Sequence, residues 1–158
     1  MNASQECSPG GSEGRVIAID LGDKRVGLAI SDPLGITAQK LPTLSATDEG
    51  SLADRIRALI EERGAVRVVV GLPLNMNGEV GPRAAKVLRW VEHLRSRVSI
   101  PVVTRDERLT SRQAQRLMIQ QDLSRKQQKD KSDEIAAMLI LQNYLDATRP
   151  PLPGNFEP

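Results

Sequence analysis

The segment Val16-Ile17-Ala18-Ile19 is apolar at every position and closes on a carboxylate, Asp20. An apolar run without alternation marks a strand buried on both faces, so the chain must place a layer on each side of its sheet. Val26 to Ser31 reads as a second strand, returning from the first through the Gly-containing turn Leu21 to Arg25. Asp32-Pro33-Leu34-Gly35 is a turn signal, with Asp32 as its turn residue, and Thr37 to Leu41 is a candidate short strand. Val66 to Val70, stopped by Gly71-Leu72-Pro73, and Ile100 to Thr104 are further strands.

Helical periodicity fills the intervals. Ser51 to Arg63 carries Leu52, Ile56, Leu59 and Ile60 on one face, with Gly64 as its stop. Pro82 suits the first turn of a helix running to about Arg97, striped by Val87, Leu88, Val91 and Leu94. Thr110 and Gln113 have capping-box spacing and open a helix to about Gln121. A polar loop, Asp122 to Lys131, then leads to a last helix from Ser132 to Asp146, apolar almost all round between Ile135 and Leu141. The order is that of an α/β fold in which an antiparallel hairpin feeds parallel crossovers.

Residues 1–14 are rich in Ser, Gly and Glu and read as a disordered tail; residues 148–158, with four prolines, read as an extended one. The folded domain is therefore expected at residues 15–147. The apolar run Ile135 to Leu141 is far short of the roughly 20 residues of a membrane span, and no apolar stretch follows a basic start as in a signal peptide. One cysteine, Cys7, cannot form an internal disulfide, and one histidine, His93, cannot build a Cys/His zinc site. Any metal must be held mainly by oxygen, and a reducing cytoplasm is the expected compartment. Cys7 reads as an exposed thiol in the tail and His93 as a surface residue of its helix.

The net charge of +2 conceals an uneven distribution. Arg105 to Lys131 holds eight basic residues and four acidic ones, a window of +4; the remainder holds 14 and 16, or −2. A basic region on a mildly acidic body suits a polyanionic partner, although a run of charge is also what a solvated surface looks like.

Three carboxylates stand at awkward places. Asp20 ends an apolar strand, where burial is costly unless a cation or several donors meet it; accepting backbone N–H groups in the turn is the plain alternative. Glu107 lies just past the strand Ile100 to Thr104, or else serves the dipole of the helix after Thr110. Asp133 opens the last helix, where Ser132-Asp133 is also ordinary capping chemistry. If the three meet at one sheet edge, they suit hard divalent cations, which take oxygen ligands. Two such ions about 4 Å apart support phosphodiester hydrolysis. Asp106 and Glu107 are adjacent on extended backbone and point oppositely, so only one of them should face the metals.

The strings from Ala18 to Asp32 (AIDLGDKRVGLAISD), from Val70 to Gly78 (VGLPLNMNG), from Asp106 to Ser111 (DERLTS) and from Asp133 to Gln142 (DEIAAMLILQ) occur in that order. Together they closely resemble the bacterial YqgF family, the Holliday-junction-resolvase-like nucleases of precursor 16S rRNA. The match spans about Val16 to Leu145, and DERLT is its most distinctive motif; Ser111 stands where threonine is frequent.

The resemblance implies a ribonuclease-H-like fold, a central mixed sheet flanked by helices, with a carboxylate site. Asp20, Glu107 and Asp133 match its acids and are the expected catalytic and metal-holding residues, for Mg²⁺ or Mn²⁺. Arg25 and Arg108 match its basic residues, and Arg112, Arg125 and Lys126 join them as expected phosphate contacts. The expected activity is metal-dependent phosphodiester hydrolysis at the 5′ end of precursor 16S rRNA. The alternatives are resolution of branched DNA, where a symmetric double cut would want a homodimer rather than a monomer, or a non-catalytic nucleic-acid-binding module. With Trp90, Tyr144 and Phe156 as its only aromatics, the chain is poorly equipped to stack many unpaired bases. Asp20-Leu21-Gly22 also resembles the first phosphate loop of sugar kinases and actin-like ATPases, but those need two such domains, and Leu28-Ala29 stands where a P-loop requires Lys and Ser/Thr.

Overall fold

The structure, a computed structural model, describes residues 14–46, 49–108 and 125–148, with backbone alone for residue 49 and residues 125–134. Its elements in chain order are β1 (Arg15–Leu21), β2 (Arg25–Ser31), β3 (Ala38–Ser45), α1 (Glu49–Arg63), β4 (Ala65–Leu72), α2 (Pro82–Arg95), β5 (Val102–Asp106) and α3 (Arg125–Thr148). The strands form one mixed sheet in the order β3-β2-β1-β4-β5. The hairpin β1–β2 is antiparallel, pairing Ile17 with Ile30 and Leu21 with Val26, and β3 continues it antiparallel to β2. β4 runs parallel to β1, pairing Val68 with Ile17, and β5 runs parallel to β4. The carboxyl ends of β1, β4 and β5 therefore reach the same edge of the sheet.

The unbroken apolar run of β1 has the cause expected of it, because both faces are covered. Ile17 and Ile19 pack with Val26, Leu28, Val68 and Val70 under α1 and α2. On the other face Val16 and Ala18 join Ala29 and Val69 against Ala137, Ile140, Leu141 and Tyr144 of α3. Small side chains at positions 18 and 29 let α3 lie close to the sheet, while the isoleucines fill the thicker layer opposite. The hairpin's open end is tied by Ser31, a fully buried side chain whose Oγ accepts the Val16 N–H at 2.8 Å.

β3 runs on to Ser45 and β5 to Asp106, past the expected ends at Leu41 and Thr104, and two helical features also differ from the expectation drawn from periodicity. On α2 the buried stripe is Ala84, Val87, Trp90, Val91 and Leu94, with Leu88 only partly covered. The stripe is thus rotated toward Trp90, whose large ring gains most from burial. The last helix begins at Arg125, so the segment 125–131 is helix and not polar loop. Arg, Lys and Gln are good helix formers with no Gly or Pro among them, and polarity alone does not break a helix. Asp133 accordingly lies inside α3, which removes the reading of it as a helix cap. The expected helix Thr110 to Gln121 and residues 1–13 and 149–158 of the tails lie outside the described residues; of the tail ends, Gly14 donates its N–H to the Pro33 carbonyl at 3.0 Å and Thr148 lies in α3. Among the described residues no helix is long and apolar enough to cross a membrane.

Candidate active site

The alternation of β1 that sends Val16 and Ala18 under α3 carries on to Asp20, the next residue of that face. On β5, Val102 packs toward α1 and α2 and Val103 toward α3. Asp106 continues the first side and Glu107 the second. The Glu107 N–H donates to the Leu72 carbonyl at 3.1 Å, so the parallel ladder extends one residue past β5 and fixes which way that carboxylate points. Asp20 and Glu107 thus meet on the α3 face, where their side chains share a hydrogen bond.

Gly71 of β4 lies between the two strands and makes this meeting possible. A Cβ at Gly71 would stand 2.8 Å from both Cγ and Oε2 of Glu107 and 2.5 Å from Cδ1 of Ile140. The space a side chain would fill is taken by the carboxylate and by α3. Sequence reading placed Gly71 only as a strand stop; its partners come from β5 and α3, and no local pattern announces them.

The electrostatics follow from this crowding. Burial pushes the Glu107 carboxyl up to about 8, and the adjacent Asp20 adds to it by its charge and its hydrogen bond. Arg83, in the first turn of α2, works in the opposite direction, and Asp106 raises Glu107 further. A carboxyl pair in this state holds a proton that a cation could replace. Among the described residues no group of three or more His, Cys, Asp or Glu gathers. The expected third acid, Asp133, lies in α3, with its side chain outside the described residues.

Asp106, turned away from the pair, is held by Arg108. The guanidinium Nε donates to Asp106 Oδ1 and Oδ2 at 3.1 and 2.9 Å and Nη2 to Oδ2 at 2.7 Å, while the Arg108 backbone N–H donates to Oδ1 at 2.9 Å. These contacts hold the Asp106 carboxyl below the usual carboxylate range. Arg108 Nη1 also donates to the Met76 carbonyl at 3.2 Å, fastening the loop after β4 to the site. That loop is closed on itself by Gly78 N–H to the Asn75 carbonyl and Asn75 N–H to the Glu79 carbonyl, at 2.7 and 2.9 Å.

Of the other expected phosphate contacts, Arg25 begins β2 beside the hairpin turn, at the same sheet edge. Arg125 and Lys126 lie in the first turn of α3 with side chains outside the described residues, as is all of Arg112. Asp32 is a turn residue, its Oδ1 accepting the Ile36 and Thr37 N–H groups at 2.7 and 2.8 Å. His93, expected at the surface, is half-buried on α2 with its Nε2 buried and without a hydrogen-bond partner among the described residues, and Cys7 is outside the described residues. Sequence reading missed Arg83; the signal was Pro82, which fixes a helix start and so puts the next residue at the carboxyl edge of β4.

A family model described as RuvX, Holliday junction resolvase, matches residues 14–147. A Thermoanaerobacter pseudethanolicus protein named for pre-16S rRNA nuclease activity is 46% identical over 136 residues, covering 85% of this chain and 98% of that protein. A Geobacillus kaustophilus protein of the same name is 47% identical over 137 residues, covering 85% and 99%. Among solved structures, T. thermophilus RuvC in complex with a Holliday junction substrate superposes with a TM-score of 0.55 at 19% identity, covering 84% of this chain and 94% of that one. This likeness establishes the ribonuclease-H-like fold, with its central mixed sheet flanked by helices. The matched family and the relatives at nearly half identity then leave one conclusion: the chain belongs to the RuvX family, and it is a nuclease.

Proposed function

We propose that this chain hydrolyses phosphodiester bonds at the 5′ end of precursor 16S rRNA in the cytoplasm, with Mg²⁺ or Mn²⁺ held by Asp20, Glu107 and Asp133. The observation that carries the reading is the Asp20–Glu107 pair over Gly71: two carboxyls forced together, one of them pushed up to about 8. Such a pair fits a hard cation, because losing the shared proton exposes converging oxygen donors. Bound there, the cation would activate the attacking water and stabilise the leaving oxygen. Asp20 and Glu107 hold their oxygens in place through the strand ladder, with Asp133 as the third ligand from α3. Arg108, clamped by Asp106 and by the Met76 carbonyl, presents a guanidinium already fixed in orientation to a flanking phosphate. Arg25, Arg112, Arg125 and Lys126 would hold more distant phosphates.

The RuvX description supports a second reading, cleavage of branched DNA by the same site. The deciding experiment offers the purified chain precursor 16S rRNA and a four-way DNA junction, each with Mn²⁺ and with chelator, alongside Asp20→Asn. Preference for the RNA is expected, with cleavage abolished in the variant. Unchanged cleavage by a folded Asp20→Asn would remove the assignment.

A further inference from the structure

On the face of the sheet opposite the acid pair, a cavity of about 180 Å³ opens between the hairpin turn after β1 and the first turns of α2. Its walls are mainly apolar, from Leu21, Leu52, Pro73 and Val87, and Trp90 closes it. Trp90 is 2% exposed, and its Nε1 has no hydrogen-bond partner among the described residues. Arg83 and Lys86, both exposed, stand at its rim with Asp23, leaving that rim net positive. Leu21, Gly22 and Asp23 directly follow Asp20 in the chain and Pro73 follows the end of β4, so the cavity opens at the sheet edge that carries the acids.

We propose that this cavity receives one unpaired base of the substrate strand, next to the bond that is cut, with Arg83 and Lys86 on its phosphates. This rests on the nucleic-acid substrate proposed above and adds a position at which the strand is read. The volume is below the roughly 300–1,000 Å³ of a site for a whole drug-sized ligand and suits a single flat ring system. Apolar walls exclude a bare phosphate and accept a base. The cations lie at the mouth, where the backbone of a strand entering base-first would pass. Because the Trp90 Nε1 is itself buried, the ring offers the cavity an apolar wall and no polar group, so a base is held there by its ring and not by its edge.

The test uses the full chain in chelator, so that nothing is cut, with a labelled single-stranded RNA and an abasic copy of the same length. Trp90 is the chain's one tryptophan, so its emission reports on the cavity directly. The base-bearing strand should bind about tenfold more tightly and change the Trp90 emission, whereas the abasic strand should leave it unaltered. Lys86→Ala should weaken both strands alike and lower the salt slope by about one. Val87→Phe, read by the label, puts a ring into the cavity and should lose most of the preference for bases. Equal affinity and equal emission change for the two strands would overturn the cavity assignment while leaving cleavage by Asp20 and Glu107 untouched. So would full base preference in a folded Val87→Phe; if that variant does not fold, the wild-type comparison decides alone. Binding of neither strand would sink both this proposal and the nucleic-acid reading on which it stands.

Discussion

Asp20 at the end of β1 and Glu107 just past β5 share a hydrogen bond over Gly71 of β4, so the sheet brings these two acids together with no strand side chain between them. A buried pair of this kind makes the protein depend on pH in a direction that can be worked out. The ordinary Glu carboxyl titrates at 4.5, and here the native state retains the proton up to about 8. Between those values the unfolded chain has released a proton that the native state still holds. Without metal, the contribution of Glu107 to stability is therefore complete below about 4.5 and is lost as pH rises to about 8. Melting temperatures in chelator should fall across that window, and Glu107→Gln should flatten the fall. A metal-free profile that is flat for the wild type would contradict the coupling.

The same proton must leave when a cation binds. Titration of the chain with Mn²⁺ at pH 7 should release protons into the buffer, and the apparent affinity should rise with pH until about 8. Calorimetry in two buffers of different ionisation enthalpy measures the release. Binding without proton exchange would place the metal elsewhere.

Gly71→Ala should be costly for a reason that Gly64→Ala does not share. At Gly71 the new methyl meets Glu107 and Ile140 within 2.8 Å, and overpacking of this kind costs about 1–3 kcal/mol. It also displaces the carboxylate, so cleavage should fall with stability. At Gly64 a Cβ would meet nothing within 4 Å, but φ is +68°, and the cost is the backbone strain of about 1 kcal/mol with cleavage retained. Denaturant melts and a cleavage assay on both variants separate the two effects.

Much of this arrangement was legible in the sequence, and the parts that were not share a cause. The β1 run reads directly as a doubly covered strand because its burial on both faces is written into consecutive residues. The opposed directions of Asp106 and Glu107 follow from extended backbone alone. Gly71 looked like a strand stop because the atoms that require a glycine there belong to Glu107 and Ile140, distant in the chain. Leu88 and Trp90 exchanged places because both fit a helical stripe, and only the shape of the opposing sheet chooses between them. The start of α3 was misplaced because a charged helix and a charged loop have the same composition.

Arg108 is oriented by Asp106, and the two should separate kinetically. Asp106→Asn keeps the shape but loses the charge on which the guanidinium is clamped, so KM should rise about three- to tenfold with a smaller change in kcat. Arg108→Ala should weaken binding to all sequences alike and lower the salt slope by about one. A fall in kcat alone for Asp106→Asn would mean that Asp106 serves the reacting groups and not the position of Arg108.

Ser31→Ala tests the fold apart from the site. The Ser31 hydroxyl is fully buried and accepts the Val16 N–H at 2.8 Å, where β1 begins, at the end of the hairpin remote from Asp20. Removing it leaves a buried backbone donor unpaired, a loss of about 1–3 kcal/mol. Arg15 Nη1 donates to the Ser31 carbonyl at 3.3 Å and is unaffected by the substitution, so the hairpin should remain in register. Urea denaturation should show the loss in full while cleavage under native conditions stays at the wild-type rate. A matching loss of cleavage would mean that the hairpin transmits strain from this end of β1 to Asp20.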